Sequence, residues 1–259
     1  MDCTRRAFVS GSGLALAGAF SKDAWARPAA WTGGSATPEA QQEKHEEHPN
    51  TPMSTHASAN EENQLAAAEE IWAKLLEGNQ RFASGKPLVR DVVARRNAVL
   101  SGQHPQVVVL TCSDSRITPC IIFDQGLGDL VEVRTAGNVA DALALGSIEY
   151  ALIHLTVRTL VVLGHEQCGA VKAAASGEKM PTPNLQALVD RIAPAIGKVQ
   201  GDPKSQEFLR KAEEANVLQC ASDLLVNSPI VLRETAANNV EIIKAVYSLK
   251  TGQVRRLQG

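Results

Sequence analysis

Aromatic residues are scarce in this chain, at 4% of 259 positions. A core built from it must therefore be packed by Val, Ile, Leu and Ala. An excess of charge of either sign is also missing: the formal net charge is −2 and no basic stripe stands out. That removes the electrostatic footprint of a nucleic-acid-binding protein. Cysteine is too sparse, at five residues, for the dense framework of a small disulfide-stapled domain. Long apolar runs are lacking too. The longest N-terminal one, Val9 to Phe20, is too short and too Gly-rich to span a membrane. What remains fits one large α/β domain with appendages.

The appendages lie at the N-terminus. Thr4-Arg-Arg-Ala-Phe-Val9 resembles a twin-arginine export motif, and the apolar stretch and Ala24-Trp-Ala26 follow it. A charged n-region, an h-region and an A-x-A site in that order predict a signal peptide over 1–26, cleaved after Ala26, and an exported, periplasmic protein. No cysteine follows the apolar stretch closely, so no stable membrane anchor is expected. Export of a folded chain would also let metal be inserted in the cytoplasm while thiols stay reduced. Residues 27–63 are rich in Pro, Ala, Thr, Glu and Gln and read as a disordered linker. Its histidines His45, His48 and His56 read as solvated side chains.

The folded domain is expected over 64–259. Apolar spacing predicts helices over Leu65–Phe82, Asp91–Leu100, Ala142–Leu155, Ala170–Ala175, Leu185–Val199 and Glu207–Val226. Short β-branched runs predict strands from Pro105, over Asp129–Arg134, over Thr159–Leu163, and over Val240–Leu249 with a hairpin to Leu257. Strand and helix alternate between 105 and 175. The predicted fold is therefore α/β, with a central, mostly parallel four- to five-stranded sheet flanked by helices.

Two of the strand runs end in chemistry. Val107-Val-Val-Leu110 leads into Cys112-Ser-Asp-Ser-Arg116, and Leu160-Val-Val-Leu163 leads into Gly164-His-Glu-Gln-Cys168. Ligands just past the carboxyl ends of parallel strands lie where open α/β sheets build their sites. Cys112, His165 and Cys168 can give zinc two thiolates and one imidazole, leaving a fourth position for water or substrate, as catalytic zinc sites do. Asp114 and Arg116 follow closely enough to orient whatever fills that position. Cys168 would start a helix, whose positive end favours its thiolate.

Taken in order, these segments resemble a β-class carbonic anhydrase, from roughly Ile71 to Val254. The likeness rests on Cys112-Ser-Asp-Ser-Arg116, Ile122-Phe-Asp124, Gly128-Asp-Leu130, Val133-Arg134, Ala136-Gly-Asn138, Ile148-Glu-Tyr150 and Leu163-Gly-His-Glu-Gln-Cys-Gly-Ala-Val171. It implies the fold of that family, one zinc per chain on Cys112, His165 and Cys168, and an Asp114–Arg116 catalytic dyad. The implied reaction is reversible hydration of carbon dioxide to bicarbonate and a proton by zinc-bound hydroxide. The implied assembly is a homodimer or homotetramer, with Ile71-Trp-Ala-Lys-Leu-Leu76 reaching across to a second subunit. Gln103, Val131, Tyr150 and Gly169 match substrate-pocket positions. Closing members of the family, where the aspartate swings onto zinc, typically carry Trp where this chain has Gln103, so the open type is expected. Val131 departs from the family's usual aromatic and would widen the pocket. This keeps open a zinc hydrolase of carbonyl sulfide or carbon disulfide, beside a non-catalytic zinc-binding protein. His104 and His154 are the remaining candidates for a proton relay near neutral pH.

Overall fold

A computed structural model describes residues 57–258. The expected signal peptide and most of the linker, with their histidines, lie outside the described residues. Five strands form one sheet in the order β2-β1-β3-β4-β5. They are β1 (Val107–Cys112), β2 (Leu130–Thr135), β3 (Thr159–His165), β4 (Glu241–Tyr247) and β5 (Val254–Arg256). The first four run parallel, and β5 turns back antiparallel to β4.

Every residue of β1 and β3 is buried. That is why both read as unbroken β-branched runs rather than alternating ones. Successive side chains still point to opposite faces, so each central strand feeds two cores. Val108, Leu110, Leu160 and Val162 meet Leu145 and Ile148 of α4 (Ala142–His154), and Val217 and Leu224 of α7 (Gln206–Asn227). Val107, Val109, Val161 and Leu163 meet Trp72 and Leu75 of α1 (Ala57–Ala83), and Phe123 just after α3 (Pro119–Ile122). Each such large side chain contributes about 1.5–3 kcal/mol when fully buried.

Side-chain caps set the helix starts. Asp91 accepts from the N–H groups of Val93 and Ala94 to open α2 (Val92–Ala98). Asp141 does the same for α4 through Leu143 and Ala144. Thr182 caps α6 (Pro183–Ile196), Ser205 caps α7, and Ser228 caps α8 (Pro229–Ala236). The helix α5 (Gly169–Ser176) begins at Cys168 itself.

Two expectations need correction. The stripe of α1 is not an excess of exposed apolar surface: Trp72 and Leu75 are buried in this chain's own core, and Ile71 and Leu76 pack beside them. Among the exposed large apolar side chains are Val92 and Val93 on α2 and Leu143, Tyr150 and Ile153 on α4. The short helices α3 and α8 were not foreseen, because one or two turns leave no periodicity to read.

Candidate metal centre

The site forms where two neighbouring strands end together. In the parallel β1–β3 ladder Thr111 lies beside Leu163, so Cys112 and His165 close their strands at the same, carboxyl end of the sheet. The chain then turns at Gln167, whose φ of 57° is left-handed, and delivers Cys168 as the N-cap of α5. The ligand atoms of Cys112, His165 and Cys168 all lie within 4.8 Å of one another, and all three residues are buried. Zinc bonded at about 2.3 Å to sulfur and 2.0 Å to nitrogen fits between atoms so spaced.

The imidazole makes the case for a metal. Its Nδ1 sits 2.8 Å from the Glu166 carbonyl oxygen, which fixes the proton on that nitrogen. This leaves Nε2 as an acceptor, and it is buried with no partner. An orphaned acceptor costs roughly 1–3 kcal/mol. A backbone carbonyl on the far nitrogen is also the usual support of a metal-binding histidine. The donor set thus fits zinc.

The thiols are already biased toward ligation. Cys112 gives up its proton first, because the Cys168 thiol donates to it, with the Gly137 N–H adding to this against burial. The Gly137 N–H reaches Cys112 Sγ at 3.3 Å. Cys168 is pushed up by that same contact with Cys112 and by burial.

Asp114 is turned to Arg116, not to the ligand set. Its Oδ1 accepts from Arg116 N and Nε, both at 2.9 Å, and Oδ2 accepts from Nη2 at 2.7 Å. The guanidinium holds the Asp114 carboxyl well below the usual carboxylate range. Arg134 steadies the same loop from β2, donating to the Cys112 carbonyl at 3.2 Å and the Asp114 carbonyl at 2.7 Å.

The four expected pocket residues are divided. Gly169 is exposed beside Cys168, with open space around it. Gln103, Val131 and Tyr150 line one shared concavity, together with Leu143 and Leu155. That concavity belongs to the other end of the sheet: Val131 pairs with Val108, whereas Cys112 pairs with Thr135. At about 3.3 Å per residue, four residues of strand separate them by roughly 13 Å. His154 stacks on Tyr150 with ring centroids 4.8 Å apart, and His104 is exposed near Pro105. Neither histidine belongs to the metal-ligating cluster.

Some supporting residues were not foreseen. Glu213 of α7 is buried, and its Oε1 accepts from the Cys168 N–H at 3.0 Å. Burial pushes its carboxyl up to about 7, against the pull of that N–H. Asn216 Nδ2 donates to the Gly137 carbonyl at 2.9 Å. A polar residue on the otherwise apolar face of α7 was the only available signal for either.

Comparison with known proteins agrees with this geometry. Residues 107–254 match the family model described as carbonic anhydrase. Carbonic anhydrase 2 of Mycobacterium tuberculosis is 39% identical over 188 residues, covering 70% of this chain and 89% of the relative. The solved β-carbonic anhydrase of Coccomyxa, in complex with acetazolamide, aligns with a TM-score of 0.58 at 24% identity, covering 79% of this chain and 87% of that one. One of two tetrameric β-carbonic anhydrases of Sordaria macrospora aligns at 0.56 with 20% identity, covering 77% and 98%.

Proposed function

From these matches the chain belongs to the carbonic anhydrase family, in its β class, and we propose that it catalyses the reversible hydration of carbon dioxide to bicarbonate and a proton. The observation that carries this reading is the unpartnered, buried His165 Nε2 beside two thiols. Cys112, His165 and Cys168 would hold zinc. Bound zinc supplies a Lewis acid that makes water nucleophilic near neutral pH.

The chain's own groups aim that nucleophile. Asp114 accepts the hydrogen bond of the attacking water, directing a lone pair at the substrate carbon. Arg116 keeps Asp114 ionised and holds it away from the metal ligands through the bidentate pair. The open-type reading favoured by Gln103 is supported by this orientation. Gly169, without a side chain, leaves room next to Cys168 for a small triatomic substrate.

The separation of Gln103, Val131 and Tyr150 from their own metal centre supports assembly. In a symmetric dimer the concavity of one protomer lies over the centre of its partner, and each site is completed by the other chain. Leu143 is 83% exposed and Tyr150 54% on that surface. A homodimer, alone or paired into a tetramer, is the assembly that uses them. Thr4-Arg-Arg-Ala-Phe-Val9 supports export to the periplasm. Retention of an Arg5→Lys, Arg6→Lys variant in the cytoplasm checks it, and unchanged export would overturn it.

Metal analysis tests the site. The full chain should carry about one zinc, and Cys112→Ser or Cys168→Ser should lose both metal and activity. Full zinc occupancy in the double serine variant would remove the assignment.

A further inference from the structure

One face of α7 touches all three segments that carry the metal ligands. Glu213 Oε1 accepts the Cys168 N–H, and the Gln167 N–H is directed at the same carboxylate. Asn216 Nδ2 donates to the Gly137 carbonyl, and the Gly137 N–H in turn donates to Cys112 Sγ. Val217 lies against Gly164, immediately before His165. A Cβ added at Gly164 would meet Val217 Cγ2 at 2.4 Å. Cys220 Sγ donates to the Asn138 carbonyl at 3.0 Å. Positions 213, 216, 217 and 220 follow the spacing that places side chains on one helix face.

Core packing alone does not account for that face. Glu213 is 5% exposed and Asn216 4% exposed. Filling such volumes with a carboxyl and an amide is costly unless each is hydrogen-bonded. Glu213 bonds the backbone at Cys168, and Asn216 bonds the backbone at Gly137 with a longer contact to Asn138 Oδ1 at 3.4 Å.

We propose that Glu213 and Asn216 are positioning residues for the metal centre, a brace on α7 that fixes where Cys168 and Cys112 present their sulfur atoms. The proposal rests on the reading that Cys112, His165 and Cys168 hold the metal. Glu213 acts through the Gln167–Cys168 turn, whose left-handed residue needs an anchor. Asn216 acts through Gly137, whose φ of 67° aims its N–H at Cys112.

Cobalt(II) substitution of the full-length protein tests the brace, because thiolate-to-cobalt absorption bands report sulfur geometry directly. Affinity comes from competition with a chelator, and stability from thermal unfolding. Glu213→Ala and Asn216→Ala should weaken cobalt binding about ten- to hundred-fold and shift the thiolate bands. Leu224→Ala, also fully buried on α7 but away from the ligand segments, should lower the unfolding temperature while leaving affinity within about threefold and the bands in place. Should Glu213→Ala fail to fold, Glu213→Gln fills the same volume but removes the charge and sets an NH2 donor where one carboxylate oxygen faced the Gln167–Cys168 turn, and it should still weaken binding about tenfold. Wild-type affinity and bands in the Glu213 variants would overturn the brace. So would an equal loss in Leu224→Ala, which would make the effect general destabilisation. Failure of the wild-type protein to bind cobalt stoichiometrically would instead sink the metal assignment beneath it.

Discussion

Replacing Asp114 by Asn separates catalysis from stability at this site. The substitution keeps Oδ1, and with it the acceptor of the Arg116 N and Nε bonds. At Oδ2 it puts an NH2 group against Arg116 Nη2, which now lies 2.7 Å from an acceptor. Two donors facing each other force the side chain to turn, and the amide then donates where the carboxylate accepted. Loss of one positioned proton acceptor costs typically 10²–10⁴ in rate, or about 2.7–5.5 kcal/mol of transition-state stabilisation. Folding should hardly notice. The Arg116 side chain is 51% exposed, and ion pairs so placed add little to stability because solvent screens them. Asp114 itself is held below the usual carboxylate range. A depressed pKa keeps the group ionised from mildly acidic pH upward, so the rise of wild-type activity toward alkaline pH should carry no inflection from it. The assay is stopped-flow CO2 hydration, with zinc content and thermal unfolding measured on the same preparation. Normal zinc, a normal unfolding temperature and at least a hundredfold lower kcat/KM are expected. Near-wild-type turnover at full zinc content would make Asp114 a structural residue and refute the reasoning.

Gly137→Ala should destabilise by about 2–5 kcal/mol. Its φ of 67° is strained for any side chain, and a Cβ would meet Ile192 Cδ1 at 2.6 Å; denaturant unfolding checks this, and a loss below 1 kcal/mol would contradict it. Asp124→Asn removes a buried carboxylate gripped by Arg81 and Arg90, and should cost about 2–3 kcal/mol, since both arginines are about one-third exposed. Burial opposes the Asp124 charge, but Arg90, Arg81 and the Leu88 N–H together hold its carboxyl below the ordinary range. Its contribution is therefore fully present above the unfolded value near 3.9 and is lost as pH falls through the lower folded one, so the gap to Asp124→Asn should close in acid. A gap that widens below pH 4 would reverse the sign. Leu143→Lys, on the exposed face of α4, should dissociate the assembly and lower activity in parallel while zinc stays bound. Sedimentation showing a fully active monomer would refute the shared site.

The clustering of Cys112 and His165 was legible because each closes a β-branched run, and a fully buried parallel strand announces its own end; Cys168 follows three residues later, at the start of α5. The pairing of Asp114 with Arg116 was legible in the same short segment. The strand order was not legible. Alternation along the chain does not say that β1 lies between β2 and β3, and that order is what brings Cys112 beside His165. Residues acting from a distance were equally hidden. Glu213 sits 45 residues beyond Cys168, on a helix whose amphipathic pattern treats one polar residue as noise. The stripe at Ile71–Leu76 misled for a related reason: periodicity shows that a face is buried, not which core buries it. The pocket residues show the same limit, since Gln103, Val131 and Tyr150 could be named from resemblance but only the register places them at the far end of the sheet.

The most direct measurement is stopped-flow turnover of CO2 beside CS2 by the zinc-loaded, full-length protein. Val131, where the β class usually has an aromatic, is the reason to compare the two substrates, and the assay decides which one the centre transforms. Rapid CO2 hydration is expected, increasing with pH and abolished in Cys168→Ser, with CS2 hydrolysis slower by orders of magnitude. CS2 hydrolysis without CO2 hydration, or no turnover of either at full zinc occupancy, would contradict it.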